Sequence, residues 1–240
     1  MTGPDEFNYV GDELGLFAHA TNWKNYWSRK LAPFLTGDVL EVGAGLGTNT
    51  LLLRPRASGQ WTCLEPDRQL IATLQAALAA QPLAASCRVL TGTVDDLPPG
   101  EWFDTIIYID VLEHIPDDGA ELARAAERLR PGGRVIVLSP AHQWLYSEFD
   151  KSIGHCRRYS RRSLLAATPA TLRPVKCFYL DSVGLCASLA NRLLLRQSLP
   201  TLKQILFWDR MIIPISRVLD PLLCGALGKT VIGVWERKER

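Results

Sequence analysis

The sequence predicts an α/β fold built on a doubly wound, mostly parallel sheet of seven strands. Short, almost wholly apolar segments alternate with segments of helical periodicity, as in parallel sheets that helices cover on both faces. A glycine-rich run at residues 43–47 follows the first apolar segment, where such sheets often place a ligand-binding turn. With 240 residues, the chain is long enough for one large domain that carries an insertion.

The composition favours a globular protein of the cytoplasm. Hydrophobic residues make up 47% of the chain and charged residues 22%, which is ordinary for a globular domain. A net charge of +2 gives no general attraction to nucleic acid, so we expect no nucleic-acid partner. The six cysteines form no C-x-x-C pair and no zinc spacing with histidine, which favours reduced thiols and no metal site. We also expect no signal peptide and no membrane-spanning segment.

The first 36 residues are predicted to form a helical cap. Aromatic residues between positions 17 and 34 recur at spacings of three and four, which indicates an amphipathic helix. Residues 39–42 are then a buried first strand, and residues 48–53 begin the helix that follows the glycines.

Further strands alternate with helices up to residue 138. We expect them at residues 61–64, 88–90, 105–108 and 135–138. Asp67 is placed to cap a helix over residues 68–80, because its carboxylate can accept from free backbone N–H groups. Another helix is expected over residues 117–129, and Arg130-Pro131-Gly132-Gly133 would end it.

The sequence changes character after Ser139. Residues 140–163 are polar, aromatic and basic, and we interpret them as an insertion after the fifth strand. A sixth strand at residues 174–180 and a seventh at residues 230–235 enclose a helical insert, residues 181–229. The apolar residues of this insert recur at helical spacing, and they include Leu185, Leu189, Leu193, Ile205, Met211 and Ile212.

Two acids accompany the glycine run. Glu65 ends the second strand, twenty residues after Gly45, so it should lie beside the glycines and could accept hydrogen bonds from both hydroxyls of a ribose. Glu41 precedes the run, which has the form G-x-G-x-G and not the G-x-G-x-x-G of dinucleotide sites. An acid there would repel a pyrophosphate but suit the cationic amino and sulfonium groups of S-adenosylmethionine. The alternatives to an enzyme that uses S-adenosylmethionine are a nicotinamide-dependent oxidoreductase and a non-catalytic nucleotide-binding module.

The chain resembles the class I S-adenosylmethionine-dependent methyltransferases over residues 31–138. Residues 39–47 resemble their first motif, residues 92–97 their adenine-contacting loop and residues 104–114 their fourth strand with its exit. The resemblance implies a Rossmann-like sheet with an antiparallel last strand, S-adenosylmethionine as cofactor and S-adenosylhomocysteine as product. The cofactor contacts that it implies are Glu41, Gly43, Ala44, Gly45, Gly47, Asn49, Glu65, Pro66, Thr93, Val94, Asp95 and Asp110.

The adenine loop departs from the family pattern at one position. Many relatives carry an aspartate where this chain has Thr93. The resemblance leaves open whether Thr93 or Asp95 contacts the adenine amine, and the backbone N–H of Val94 is a natural donor to the ring in either case.

The methyl acceptor should bind beyond the carboxyl ends of the strands, where open α/β sheets place their ligands. An oxygen acceptor would need a base, whereas a nitrogen or carbon acceptor can do without one. Paired arginines at 157 and 158 could grip an anionic acceptor, although a solvated basic turn is the alternative. The candidate catalytic residues are His114, His142, His155 and Tyr159, and the candidate acceptor-binding residues are Trp23, Tyr26, Tyr146, Arg157 and Arg158.

The helical insert has three possible roles. It could close over the acceptor as a lid that excludes water. Its basic residues, which include Arg192, Arg196, Lys203, Arg210 and Arg217, lie among leucines and isoleucines, which permits peripheral membrane contact or a lipid-like acceptor. The favoured interpretation is a helical subdomain that packs on the sheet or at a dimer interface. We expect the protein to be a monomer or a homodimer and its methyl acceptor to be a small molecule. Nucleic acid or protein is disfavoured as acceptor, since Asp110-Val111-Leu112-Glu113 replaces an Asn-Pro-Pro-Tyr-type sequence.

Overall fold

A single seven-stranded sheet organises the chain. The computed structural model describes residues 13–82, 84–190, 192 and 200–239. Its strands, in the order β3-β2-β1-β4-β5-β7-β6 across the sheet, are β1 (Val39–Val42), β2 (Trp61–Glu65), β3 (Cys87–Thr91), β4 (Phe103–Ile109), β5 (Leu129–Pro140), β6 (Leu172–Leu180) and β7 (Thr230–Arg237). The first five strands pair in parallel, and β7 runs antiparallel to both β5 and β6. The α/β prediction, with its antiparallel last strand, is confirmed.

The register of the central strands positions the site. Strand order reverses between β1 and β4, and a crevice opens at such a switch point. Val42 is paired with Leu64 on β2 and with Tyr108 on β4, so these three strands end at nearly the same level. The residues that follow them therefore meet at one edge of the sheet.

Helices cover both faces of the sheet and bury its side chains. They are α1 (Glu13–Ala18), α2 (Thr21–Leu31), α3 (Thr48–Leu53), α4 (Arg68–Ala79), α5 (Asp118–Glu127), α6 (Glu148–Ser152), α7 (Arg161–Ala166), α8 (Ser182–Ala190), α9 (Leu202–Phe207) and α10 (Ile213–Leu222), with a π-helical turn at Trp208–Ile212. One core cluster includes Trp27 and Trp61, and the cluster on the other face includes Tyr108 and Trp235. Among the described residues, no helix is long and apolar enough to cross a bilayer.

Two predicted elements differ from the structure by more than a few residues at their ends. The expected helix at residues 17–34 is divided into α1 and α2, because the start of α2 is capped from a distance: the backbone N–H groups of Asn22 and Trp23 donate to Asp209 at 3.1 and 2.8 Å. The turn expected at residues 130–133 lies inside β5, which begins at Leu129 opposite Phe103 of β4.

Buried aspartates attach the helical insert to the rest of the chain. Besides Asp209, Asp220 accepts from the hydroxyl of Tyr26 at 3.0 Å and from the backbone N–H of Asp181 at 2.7 Å. Asp181 in turn accepts from the Trp208 indole N–H at 2.8 Å. The insert is thus packed on the N-terminal helices, and its action as a lid stays a prediction. Residues 1–12 of the N-terminal cap, Leu193 and Arg196 lie outside the described residues.

Candidate active site

A cavity of about 1170 Å³ lies beyond the carboxyl ends of the strands. Pockets for a single small ligand usually enclose about 300–1,000 Å³, so this one has room for a donor and an acceptor together. Its donor side is formed by the glycine loop (residues 43–47) and the ends of β2, β3 and β4. Its acceptor side is formed by residues 140–158, the exit of β4 and the helical insert.

The glycine loop brings bare backbone to the cavity. Gly43, Gly45 and Gly47 have φ angles of +67°, +55° and +77°, which side-chain-bearing residues rarely adopt. A Cβ atom at Gly43 would meet Val111 at 2.6 Å, and one at Gly47 would meet Leu74 at 2.5 Å. At Gly45 the nearest atom, on Leu14, is 3.8 Å away. Gly45 is therefore the glycine that a ligand can approach closely, while the other two allow tight packing.

Glu65 is held against the loop in a fixed orientation. One carboxylate oxygen accepts from the backbone N–H of Gly45 at 2.8 Å, and the other accepts from that of Asp67 at 2.9 Å. Burial raises the pKa of Glu65, although these two hydrogen bonds oppose the rise. Each oxygen retains a further lone pair, and the residue lines the cavity, so the side chain fits the two hydroxyls of a ribose.

Glu41 occupies a different place from the one predicted. It is buried below the loop, where one oxygen accepts from the Thr50 hydroxyl at 2.6 Å and from the Trp61 indole N–H at 2.9 Å. Burial raises its pKa to about 7, against these hydrogen bonds and the charge of Lys24. Glu41 thus braces the start of α3 against β2, and the cavity wall passes above it.

Lys24 is a residue of the donor side that the sequence pattern did not single out. Its ammonium group donates to Thr48 at 2.9 Å and to Asn49 at 2.7 Å, just beyond the glycine loop. Burial lowers its pKa, while the charges of Asp110 and Glu41 oppose this change. The cation lines the cavity and suits the carboxylate of an amino acid. The available signal was one charged residue between the buried Trp23 and Trp27 of α2.

Other predicted cofactor contacts lie around the same wall. Ala44, Asn49, Pro66, Thr93, Asp95 and Asp110 line the cavity, whereas Val94 is buried behind it. Asp110 directly follows β4 with a φ angle of +54°, a strained conformation that often marks functional sites. Thr93 donates through its hydroxyl to Asp96 at 2.9 Å, and Asp95 pairs with Arg124 at 3.2 Å. Both candidates for the adenine amine thus remain in reach.

A match to a known protein family covers the part of the chain that forms this donor side. Residues 19–168, more than half of the chain, match the family model described as a methyltransferase domain.

The chain belongs to the class I S-adenosylmethionine-dependent methyltransferases.

Similar proteins include several methyltransferases. A ubiquinone biosynthesis O-methyltransferase from Bradyrhizobium sp. (strain ORS 278) is 33% identical over 108 residues, which cover 44% of this chain and 41% of that protein. The N-methyltransferase NodS from Bradyrhizobium japonicum WM9, solved in complex with S-adenosyl-L-homocysteine, aligns with a TM-score of 0.59 at 12% identity and covers 96% of this chain and 94% of NodS. Coclaurine N-methyltransferase aligns with a TM-score of 0.62 at 13% identity, over 91% of this chain and 72% of its own.

The two kinds of likeness carry different weight. The match spans only about two fifths of the length of these curated relatives. The structural likenesses, at 12 and 13% identity, show the fold alone. Neither supports the nicotinamide-dependent alternative, and S-adenosylmethionine is the cofactor of the family to which the chain belongs.

The acceptor side contains an ordered carboxylate–histidine pair. Asp150, fully buried at the N-terminus of α6, accepts from His155 Nδ1 at 2.9 Å and from Arg158 Nε at 2.7 Å. Burial disfavours ionisation of Asp150, but the hydrogen bonds from His155 and Arg158 outweigh it and hold its pKa well below the ordinary value. Because Asp150 is ionised, we assign a proton to His155 Nδ1, which leaves Nε2 as an acceptor in the cavity wall.

Three groups converge beside this pair. The rings of His114 and His155 meet edge to face with centroids 4.6 Å apart, and Glu113 Oε1 lies 3.9 Å from His155 Nε2. Burial and the neighbouring His155 lower the pKa of His114 to about 4, so it is neutral at neutral pH. Burial, with Asp110 nearby, raises the pKa of Glu113. One atom from each of the three residues lies within 4.8 Å of the others, a spacing that could also hold a metal ion.

Two predicted catalytic residues lie away from the cavity wall. The His142 ring stacks on Tyr179 and its Nε2 lies 2.9 Å from the Gly228 carbonyl oxygen. The buried Tyr159 hydroxyl donates to Asp118 at 2.7 Å. Their side chains join the segment after β5 to its neighbours, and that packing is a structural role that spacing could not distinguish from a catalytic one.

The predicted grip of two arginines on one anion is wrong as an arrangement. Arg157 turns toward the exit of β4, where it donates to the carbonyl oxygens of Ile115 and Pro116 at 2.9 and 2.6 Å. Arg158 lines the cavity, but its Nε and Nη2 groups donate to Asp150 at 2.7 and 2.9 Å. The two guanidinium groups diverge because each has a partner on a different element.

The remaining acceptor candidates divide in the same way. Trp23 and Tyr146 line the cavity, and the Tyr146 hydroxyl donates to the carbonyl oxygen of His155 at 2.6 Å. Tyr26 lies deeper on α2, where its hydroxyl donates to the buried Asp220. Burial of the Tyr26 side chain raises its pKa.

Proposed function

We propose that the protein transfers a methyl group from S-adenosylmethionine to a hydroxyl oxygen of a small, lipid-like acceptor that carries an aromatic ring. The observation that carries this proposal is His155, which lines the same cavity as Glu65 and is oriented by the buried Asp150. A carboxylate-oriented histidine at neutral pH is the group that an oxygen acceptor requires and that a nitrogen acceptor does not.

The donor side would hold the cofactor through four contacts. Glu65 would accept from the ribose hydroxyls, and Lys24 would pair with the amino-acid carboxylate. Asp110 would attract the amino group, and the bare backbone of Gly45 would let the ligand lie against the loop. When bound, S-adenosylmethionine supplies an electrophilic methyl group on a sulfonium. Holding it in line with the acceptor oxygen can supply several kcal/mol of the barrier.

On the acceptor side, His155 Nε2 would take the proton of the acceptor hydroxyl as the oxygen bonds to the methyl carbon and the bond from that carbon to sulfur breaks. Asp150 would stabilise the resulting imidazolium, since it already accepts from Nδ1. The neighbouring His114 is neutral, so it adds no positive charge that would oppose this imidazolium. Tyr146, through its bond to the His155 backbone, would hold the loop in place.

The chemistry of the walls supports the acceptor class. Aromatic side chains surround the acceptor side, namely Trp23, Tyr146, Phe149, Phe207 and Trp208. Such walls suit a flat aromatic ring with apolar substituents. Of the cations on the acceptor side, Lys229 lies 3.8 Å from Asp181 and Arg158 is paired with Asp150, while the exposed Arg192 and Lys203 lie on the insert. We therefore favour a lipid-like over an anionic acceptor, and the curated relative that is named as a ubiquinone biosynthesis O-methyltransferase is consistent with this choice.

A second role for the three converging residues is favoured by one observation. Glu113 Oε1 is buried and has no hydrogen-bond partner among the described residues. A divalent cation bound by Glu113, His114 and His155 would lower the pKa of the acceptor hydroxyl, whose proton could then pass to solvent instead of to His155. Assay after treatment with EDTA separates the two roles: unchanged activity supports the base, and a loss that one added cation restores assigns the cluster to a metal.

The test of the proposed function uses a panel of acceptors with S-adenosylmethionine. Phenols and catechols with alkyl chains of increasing length are compared with amines of matched size, and S-adenosylhomocysteine is quantified as the product. We expect turnover of the phenolic compounds with a KM that falls as the chain lengthens. Turnover of the amines alone would refute the oxygen acceptor.

A further inference from the structure

The helical insert carries an exposed apolar stripe. Phe207, Met211, Ile215, Val218 and Leu222 follow one another at spacings of three and four residues, so they share one face of the α9–α10 segment. Each of these side chains is between 51 and 75% exposed. Leu219, Leu223 and Leu227 extend the patch. Contiguous apolar surface of this kind marks an interaction site more often than an accident of packing.

The charges around the stripe have one sign. Lys203, Arg210 and Arg217 are exposed on the same segment. Both acids of residues 200–229 are buried, since Asp209 caps α2 and Asp220 binds the start of α8. The segment therefore presents an apolar stripe flanked by cations, with its own carboxylates turned inward.

We propose that this stripe and its flanking cations, the insert surface, dock the protein on an anionic lipid bilayer. Apolar side chains would enter the interface while the cations meet anionic headgroups, as in amphipathic helices that lie in the membrane plane. A second copy of the chain is a poorer occupant, because a symmetric contact would bring together two stripes that are both flanked by cations, with no exposed acid of residues 200–229 to pair with them.

The insert surface continues into the active site. Lys203 and Phe207 belong both to this surface and to the cavity lining. A lipid-like acceptor could thus reach His155 from the bilayer without crossing water. This last step rests on the proposed function, whereas the docking itself does not.

Sedimentation with vesicles tests the docking alone. The full chain is mixed with vesicles of phosphatidylcholine and phosphatidylglycerol, or with vesicles of pure phosphatidylcholine. We expect binding to the anionic vesicles that weakens as salt is added. The double variant Val218→Glu, Leu222→Glu should lose at least about tenfold in partitioning, because two apolar anchors become anions. Val175→Glu, at an exposed apolar position on β6 outside the insert surface, should bind as the wild type does.

Charge variants complete the test. Arg210→Gln and Arg217→Gln should each weaken vesicle binding about fivefold, whereas Arg56→Gln, at an exposed position on the turn after α3 and outside the insert surface, should not. Binding of S-adenosylhomocysteine by all these variants confirms folding and tests the donor side separately. The docking proposal is overturned if the wild type ignores anionic vesicles, or if sedimentation equilibrium shows a dimer that Val218→Glu dissociates.

Discussion

The donor and acceptor sides of the cavity are built in different ways. On the donor side, the defining contacts join residues close in sequence, such as Glu65 and Gly45, which are 20 positions apart. On the acceptor side, the walls depend on distant partners: Trp23 and Asp209 are 186 positions apart, and Tyr26 and Asp220 are 194 apart. A short motif can therefore specify the donor, whereas the acceptor pocket emerges only when the insert packs on the N-terminal helices.

The contrast also separates two uses of acidic side chains. Glu65 and Asp110 line the cavity from the ends of β2 and β4, the two strands that flank β1. Asp209 and Asp220 direct theirs at backbone and hydroxyl donors, and so fix the insert. The first pair of acids would contact the methyl donor, and the second pair shapes the pocket into which the acceptor would fit.

The largest expected effect lies on the acceptor side. His155→Gln should lower kcat about 10²–10⁴-fold, because the acceptor hydroxyl loses its base. Asp150→Asn should lower kcat less and shift the pH profile, since Asp150 acts through His155. Single-turnover rates with an alkylated phenol measure both. A kcat within about threefold of wild type for His155→Gln would refute the role of His155 as the general base.

Glu65 provides the matching change on the donor side. Glu65→Ala should weaken S-adenosylmethionine binding about 10²–10³-fold, because two charge-assisted hydrogen bonds to a ribose are lost. Asp67→Ala is the control, since Asp67 caps α4 and should affect stability without affecting affinity. Equilibrium dialysis with labelled cofactor measures the two. Equal affinity of Glu65→Ala and wild type would refute the ribose contact.

Glu41 predicts a pH dependence of stability that is unrelated to the ligand. Its folded-state pKa of about 7 lies above the ordinary 4.5, so the folded state holds this proton more tightly than the unfolded state does. The stabilisation from this group is complete below about pH 4.5 and is lost as the pH rises through about 7, a change of about 3 kcal/mol. Glu41→Gln keeps an acceptor for Thr50 and Trp61 and should remove the dependence. Urea unfolding at pH 5 and pH 8 measures it, and parallel losses in both proteins would contradict this origin.

The smallest effect distinguishes the two arginines. Arg157→Gln should cost about 1–2 kcal/mol of stability, through its lost bonds to Ile115 and Pro116, and leave KM unchanged. Arg158→Gln should instead change kcat, because Asp150, which orients His155, loses its hydrogen bonds from the guanidinium group. Thermal unfolding and steady-state kinetics on both variants check this. A rise in KM for Arg157→Gln would restore the paired grip on an anion.

The sequence predicted much of the donor side and little of the acceptor side. The alternation of elements indicated the sheet, and the spacing from Gly45 to Glu65 indicated the ribose contact, because both depend on local chain geometry. Neither Asp150 nor Lys24 carried a pattern that marked its partner, since Lys24 reaches its site through the packing of α2. His142 and Tyr159 looked as catalytic as His155 in the sequence, and only the direction of each side chain separates them.

The division of the cavity into a donor and an acceptor side is tested most directly by calorimetry with S-adenosylhomocysteine. Wild type and His155→Gln should bind one equivalent with the same affinity, because His155 touches the acceptor alone. Absence of binding to the wild type, or a large loss of affinity in His155→Gln, would contradict this division.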